Sequence, residues 1–211
     1  LIIGKTKQSK NLGIVGAGPA GLASAITAAE RGHKVTLFEA KDKIGGQFNL
    51  AREIPGKEEF DETLRYYKRQ LDRLGVYVQL DTRVTITQLN NSDFDEIILA
   101  TGIVPRVPVI EGIDHPTVVN YTDVINGVVE IGERVAIIGA GGIGFDVAEF
   151  LSHSGHPTSL NIPAFMQEWG IDMDLQARGG IEGVEPKFTP SPRTIFLCQR
   201  KAEGLGKNLG K

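Results

Sequence analysis

Cysteine is almost absent from this chain of 211 residues; Cys198 is the only one. One thiol cannot close an intrachain disulfide, form a CxxC redox pair or supply the thiolates of an ordinary iron–sulfur cluster. A reducing, cytoplasmic compartment is expected. An excess of basic charge is missing too. With 23 Lys and Arg against 26 Asp and Glu, the net charge is −3, so no positive field attracts nucleic acid. The apolar runs are too short to span a bilayer, and no membrane partner is expected. The opening Leu1-Ile2-Ile3-Gly4-Lys5 lacks the ordered regions of a signal peptide. It also lacks an initiator Met, which suggests a piece of something longer. His33, His115, His153 and His156 read as isolated loop or surface histidines. No catalytic group and no metal site is expected among these residues.

Glycine, in contrast, is plentiful and patterned. Gly16-Ala17-Gly18-Pro19-Ala20-Gly21 follows the apolar run Leu12–Val15, and Gly139-Ala140-Gly141-Gly142-Ile143-Gly144 follows Glu133–Ile138. One GxGxxG turn is weak; two, each between a strand pattern and a helix pattern, point to two dinucleotides. In the first, Gly16 permits the tight turn, Gly18 lets the backbone approach a pyrophosphate, and Gly21 lets the helix sit close to the strand. Ala23, Ala25 and Ala28 continue a helix suited to flat packing on a sheet. Lys34–Phe38 is the second strand, and Glu39 closes it 18 residues after Gly21. A carboxylate there accepts hydrogen bonds from a ribose and repels a 2′-phosphate, favouring FAD or NAD over NADP. The alternative is a βαβ unit with no ligand.

Glu39 is followed by Ile44-Gly45-Gly46-Gln47, and later by Glu96–Gly102 with its Ala100-Thr101-Gly102 end. Both segments resemble the flavoprotein disulfide-reductase superfamily. That resemblance implies that the glycines Gly45 and Gly46 pass under the FAD pyrophosphate, that the strand ending at Gly102 ends beside FAD, and that Val84 lies where such folds touch the adenine. Arg52 has two open readings, a flavin-side contact or a surface arginine. Lys57–Leu74 reads as a helix with Phe60, Leu64, Tyr67 and Leu71 on one face, ended by Gly75. Val76–Leu80 reads as a strand.

Pro105, Pro108, Gly112 and Pro116 punctuate a connector. The expected organisation is a first Rossmann-like unit over 1–103, a connector over 104–130 and a second unit over 131–211. Gly139, Gly141 and Gly144 repeat the three glycine tasks, and Asp146 is expected to cap or pair locally. The acid expected about 20 residues on is missing. An excursion over about 153–193 precedes the strand Thr194–Cys198 and has two open readings, a partly helical segment packed by Phe165, Trp169 and Ile171 or an interface with a missing partner domain. Gln199-Arg200-Lys201 comes next. Two cations where an acid would stand suit a 2′-phosphate, which favours NADPH. Two solvated surface charges are the alternative.

Taken with Ile54–Phe60, Ile143–Asp146, Gln167–Asp172 and Ser191–Arg193, the chain from Asn11 on resembles the carboxy-terminal half of bacterial NADPH-dependent 2,4-dienoyl-CoA reductases, of the NADH:flavin oxidoreductase family. The fold class implied is α/β, with two Rossmann-like units of the disulfide-reductase type and the second truncated. The resemblance assigns Gly16, Gly18, Gly21, Glu39, Gly46, Gln47, Val84 and Gly102 to FAD, and Gly139, Gly141, Gly144, Arg200 and Lys201 to NADPH. It implies hydride transfer from NADPH to FAD. Electrons then pass through a 4Fe-4S cluster to FMN in an amino-terminal TIM barrel, feeding 2,4-dienoyl-CoA reduction in unsaturated fatty acid β-oxidation. The barrel, cluster and FMN belong to a partner domain absent here, so the chain alone is not expected to complete a turnover. A rival reading is a non-catalytic ADP- or FAD-binding module like that of trimethylamine or histamine dehydrogenase. A thioredoxin-reductase-like enzyme is disfavoured because there is no CxxC.

Overall fold

The apolar runs flanking the first glycine turn form a buried parallel sheet. The computed structural model describes residues 4–155, 157–202 and 204. They divide into two compact units, Leu1–Arg52 with Glu59–Ile113, and Glu53–Glu58 with Asp114–Lys211. The fold is α/β with dinucleotide-binding, Rossmann-like organisation.

In the first unit, β1 (Asn11–Val15) leads through the Gly16 turn into α1 (Pro19–Glu30), and the chain returns as β2 (Lys34–Phe38) parallel to β1. A four-residue helix α2 (Phe48–Ala51) and a longer α3 (Phe60–Leu74) come after it. Next are β3 (Tyr77–Gln79), α4 (Ile86–Asn90) and β4 (Glu96–Leu99), which complete a parallel sheet of order β3-β2-β1-β4. β1 and β2 are central, and Leu12, Ile14, Val35 and Leu37 are buried there. Ile14, Leu22, Ala25 and Leu37 are fully enclosed. The small residues of α1 let its axis lie close to the sheet. A Cβ at Gly21 would stand 1.8 Å from the Gly16 carbonyl oxygen, so only glycine fits that crossing. α3 lays Leu71 into the same core, with Tyr67 and Leu74 beside it. It stops at Gly75, which takes the left-handed conformation (φ 68°) of a helix C-terminus.

α3 starts at Phe60, three residues later than its apolar spacing predicts. The cause is the segment Glu53–Glu58, which leaves the first unit and packs in the second. Pro55 and Gly56 (φ 81°) oppose helix there.

In the second unit, α5 (Tyr121–Ile125) buries Val124 and Ile125 and is capped by the Asn120 side chain. β5 (Arg134–Ile138) runs through the Gly139 turn into α6 (Gly142–Ser152), which buries Val147 and Leu151. The excursion carries α7 (Ile162–Glu168), and the chain returns as β6 (Thr194–Cys198), paired parallel to β5. β5 and β6 form a two-stranded sheet, with Ile138 and Phe196 exposed on one face. The excursion has its own packing. Trp169 lies 6.1 Å from the Phe165 ring and 5.6 Å, edge-on, from Phe188. Asp172 accepts three backbone hydrogen bonds, from Asp174 (2.9 Å), Gln176 and Ala177 (2.6 Å each). These bonds, Ala177 foremost, hold its carboxyl below the ordinary aspartate range.

Candidate functional site

The first glycine turn is fixed from three sides. Gly16 has φ 102° and donates its N–H to the Phe38 carbonyl at 2.8 Å. The Glu39 carboxylate reaches back across the turn, where one oxygen accepts from the Ala17 N–H at 2.8 Å and the other from the Lys41 N–H at 3.0 Å. Each oxygen keeps a lone pair for a further donor, such as a ribose hydroxyl. The second glycine pair then closes on the first. The Gly45 N–H donates to the Ala17 carbonyl at 2.8 Å, and a Cβ on Gly46 would stand 2.8 Å from the Gly18 Cα. Asn49 donates from Nδ2 to the Ile44 carbonyl at 2.8 Å and locks this loop. Asn49 was not singled out by sequence, although it lies just beyond the Ile44–Gln47 segment that was. Gln47 is the residue from which α2 starts.

The Ala100 N–H donates to the Val15 carbonyl at 2.8 Å, which brings the strand end before Gly102 (φ 74°) alongside the turn. The Thr82 N–H donates to the Glu39 carbonyl at 2.8 Å, and half-buried Val84 stands two residues later. Arg52 pairs with Asp61 at 2.8 Å, at the start of α3.

The second turn repeats the backbone pattern. Gly139 has φ 123° and donates to the Cys198 carbonyl at 2.9 Å; a Cβ on Gly144 would stand 1.9 Å from the Gly139 oxygen. The registers align the two units, with Val15 beside Phe38 and Ile138 beside Cys198. The residue equivalent to Glu39 is therefore Gln199, a neutral amide. This corrects the expectation that cations occupy the acid's own position: Arg200 and Lys201 come one and two residues after it, both exposed. They still leave the end of β6, the strand whose last carbonyl accepts the Gly139 N–H.

Asp146 does not pair locally. Its Oδ1 accepts from Lys57 Nζ at 2.6 Å, across 89 positions of sequence. Next to it, Glu58 accepts from the Gly56 N–H at 3.0 Å and from the Ser159 hydroxyl at 2.9 Å. Burial pushes the Glu58 carboxyl up, but these bonds and its own N–H outweigh burial and hold it below the ordinary range.

His33 accepts from the Lys10 N–H, His115 bonds Thr117, and His153 bonds the Glu149 carbonyl. His156 lies outside the described residues, as does the tail from Leu205. No group of three potential ligands could hold a metal ion, and no helix is long and apolar enough to cross a membrane, among the described residues.

Residues 10–168 match the family described as pyridine nucleotide-disulphide oxidoreductase. The chain is 36% identical over 157 residues to a metal reductase of Desulforamulus reducens, covering 71% of this chain and 23% of that protein. It is 35% identical over 189 residues to an NADH oxidase of Thermoanaerobacter brockii, covering 88% and 29%. A solved structure of 2-naphthoyl-CoA reductase with 2-naphthoyl-CoA superposes with a TM-score of 0.70 at 28% identity, covering 99% of this chain and 36% of that one. The chain thus spans about a quarter to a third of these relatives' length. A glycine turn tied to its acid, a second turn of the same geometry and a family match across most of the sequence agree: the chain belongs to the pyridine nucleotide-disulphide oxidoreductase family and carries its dinucleotide-binding fold.

Proposed function

We propose that this chain is the nucleotide-handling part of a flavin-dependent reductase, with FAD on the Gly16 turn and NADPH on the Gly139 turn. The observation that carries this reading is the difference after the second strand: Glu39 in one unit, Gln199-Arg200-Lys201 in the other.

The backbones fit such ligands. A Cβ on Gly18 would meet nothing nearer than the Gly46 Cα at 3.9 Å, and one on Gly141 would meet nothing within 4 Å. Both turns leave room for a pyrophosphate beside the first N–H groups of a helix. Glu39, oriented by Ala17 and Lys41, accepts from the two hydroxyls of an adenosine ribose. Its charge repels a 2′-phosphate. Gln199 brings no such repulsion, and Arg200 and Lys201 add a guanidinium fork and an ammonium for that phosphate. The bound pair supplies hydride chemistry, moving two electrons from a nicotinamide to a flavin.

In the parent enzyme, this electron input feeds reduction of a 2,4-dienoyl-CoA through an iron–sulfur cluster and FMN in a separate barrel, in the cytoplasm. The small share of each relative that the chain spans leaves room for such a barrel, and one relative is named for reducing a CoA thioester.

The test is spectroscopic. The purified chain is expected to be yellow and to release FAD on denaturation. In the parent protein, NADPH added without oxygen is expected to bleach the flavin. Flavin that stays yellow there would overturn the reading and favour a structural, non-redox nucleotide.

A further inference from the structure

Asn49 has no part in the nucleotide assignment above, although it stands three residues after Gly46. The contacts around it lie within the first unit. Its Nδ2 donates to the carbonyl of Ile44, the residue before Gly45-Gly46, at 2.8 Å. Its backbone N–H donates to the Gly46 carbonyl at 3.2 Å, and the Phe48 N–H donates to the Gly45 carbonyl at 3.0 Å. Residues 44–49 thus form a closed turn, and the Asn49 amide ties its two ends together.

The turn is gripped from outside as well. A Cβ on Gly45 would stand 2.6 Å from Asn49 Nδ2 and 2.8 Å from Leu64 Cδ2 of α3, and the Gly45 N–H is spent on the Ala17 carbonyl at 2.8 Å. The consequence falls on Gly46 (φ 51°), where a Cβ would stand 2.8 Å from the Gly18 Cα. Two backbones without side chains meet there. The four-residue helix α2 is itself fastened to α3: the Phe48 ring stacks on Phe60 at 4.8 Å, and Arg52 pairs with Asp61 at 2.8 Å. Asn49 is the side chain that passes this hold from α2 to the glycines.

We propose that Asn49 is a positioning residue for the pyrophosphate of the nucleotide at the Gly16 turn, acting through the Ile44 carbonyl to keep Gly45-Gly46 against Gly18. This rests on the nucleotide reading above. Glu39 and Asn49 then serve different parts of one ligand, Glu39 the ribose and Asn49 the two phosphates. The physical effect is preorganisation. A loop already held in its binding conformation loses little freedom when the ligand arrives. Without the amide, the loop has more conformations in the free protein, and binding must remove them.

The test measures the affinity of the full chain for FAD, and for ADP by displacement of FAD, beside thermal melting without nucleotide. Asn49→Ala should weaken both nucleotides by the same factor, about 3- to 10-fold, the range of one net hydrogen bond. ADP carries the two phosphates without the flavin, so an equal loss assigns the effect to the phosphates. Asn49→Asp keeps the shape but turns an acceptor toward the Ile44 carbonyl, and it should weaken both at least as much. Phe48→Leu is the contrast on the same helix. Breaking its ring stack should lower the melting temperature and leave both affinities unchanged. Unchanged affinities in both Asn49 variants, a loss confined to FAD, or an equal loss in Phe48→Leu overturns the positioning role and leaves the nucleotide reading standing. No binding of FAD or ADP by the unaltered chain overturns both.

Discussion

The two units carry the same turn in unlike surroundings. At the first, a Cβ on Gly16 would stand 2.4 Å from the Ala100 carbonyl oxygen, while at the second a Cβ on Gly139 would meet nothing within 4 Å. Four strands and α3 enclose the first turn's core, whereas two strands and α6 support the second. Glycine spacing reports the strand-to-helix crossing, which is the same 1.8–1.9 Å prohibition in both units. It reports neither the enclosure of the turn nor the residues beyond the second strand. On the proposed reading, the residues beyond the second strand decide which phosphate each turn accepts.

The sharpest break in the comparison should come from the cores. Leu22 is fully buried, and Leu22→Ala should cost about 2–5 kcal/mol in chemical denaturation. Leu197 on β6 is only half-buried, and Leu197→Ala should cost about 1–2 kcal/mol. Equal losses would mean that the second unit is as tightly packed as the first.

Backbone strain should separate the units less. Both Gly16→Ala and Gly139→Ala force alanine into positive φ, at a cost of about 1–2 kcal/mol. Only Gly16→Ala adds a collision with Ala100. Its melting temperature should therefore fall further than that of Gly139→Ala, and the reverse order would contradict the difference in enclosure.

The smallest effect expected is on the excursion and depends on pH. Asp172 has a folded-state pKa lowered by three backbone donors. The stabilisation it gives is present above the unfolded aspartate value of about 3.9 and is lost as pH falls through the lower folded value. Emission from Trp169, the single tryptophan, should stay constant from pH 7 to about 4 and change only below that. Asp172→Asn should remove this acid transition. A transition centred near pH 6.5 would instead point to a histidine.

Much of this organisation was legible from local pattern. β1 and β5 come from apolar runs that stop at glycine, β2 and β6 from apolar runs that stop at polar residues, and Glu39 from its distance to Gly21. The parts that were not legible depend on contacts remote in sequence. Lys57 meets Asp146 across 89 positions, and no helical or strand period encodes that distance. The late start of α3 has the same cause, because Glu53–Glu58 packs in the second unit. The identity of Gln199 as the counterpart of Glu39 needed the strand register, since the long excursion hid the count. Arg52 was ambiguous because its partner Asp61 lies nine residues on, beyond a break in the helix.

The central claim is that the residues after the second strand divide the nucleotides between the turns. The most direct test measures FAD and NADPH dissociation constants, each nucleotide alone, for Glu39→Gln and Arg200→Ala. Glu39→Gln should weaken FAD by about 10- to 100-fold, the loss of one charged hydrogen-bond set of about 1.5–3 kcal/mol, and spare NADPH. Arg200→Ala should weaken NADPH by a similar factor and spare both FAD and NADH. NADPH binding that survives Arg200→Ala unchanged, or FAD binding that survives Glu39→Gln, would contradict the account.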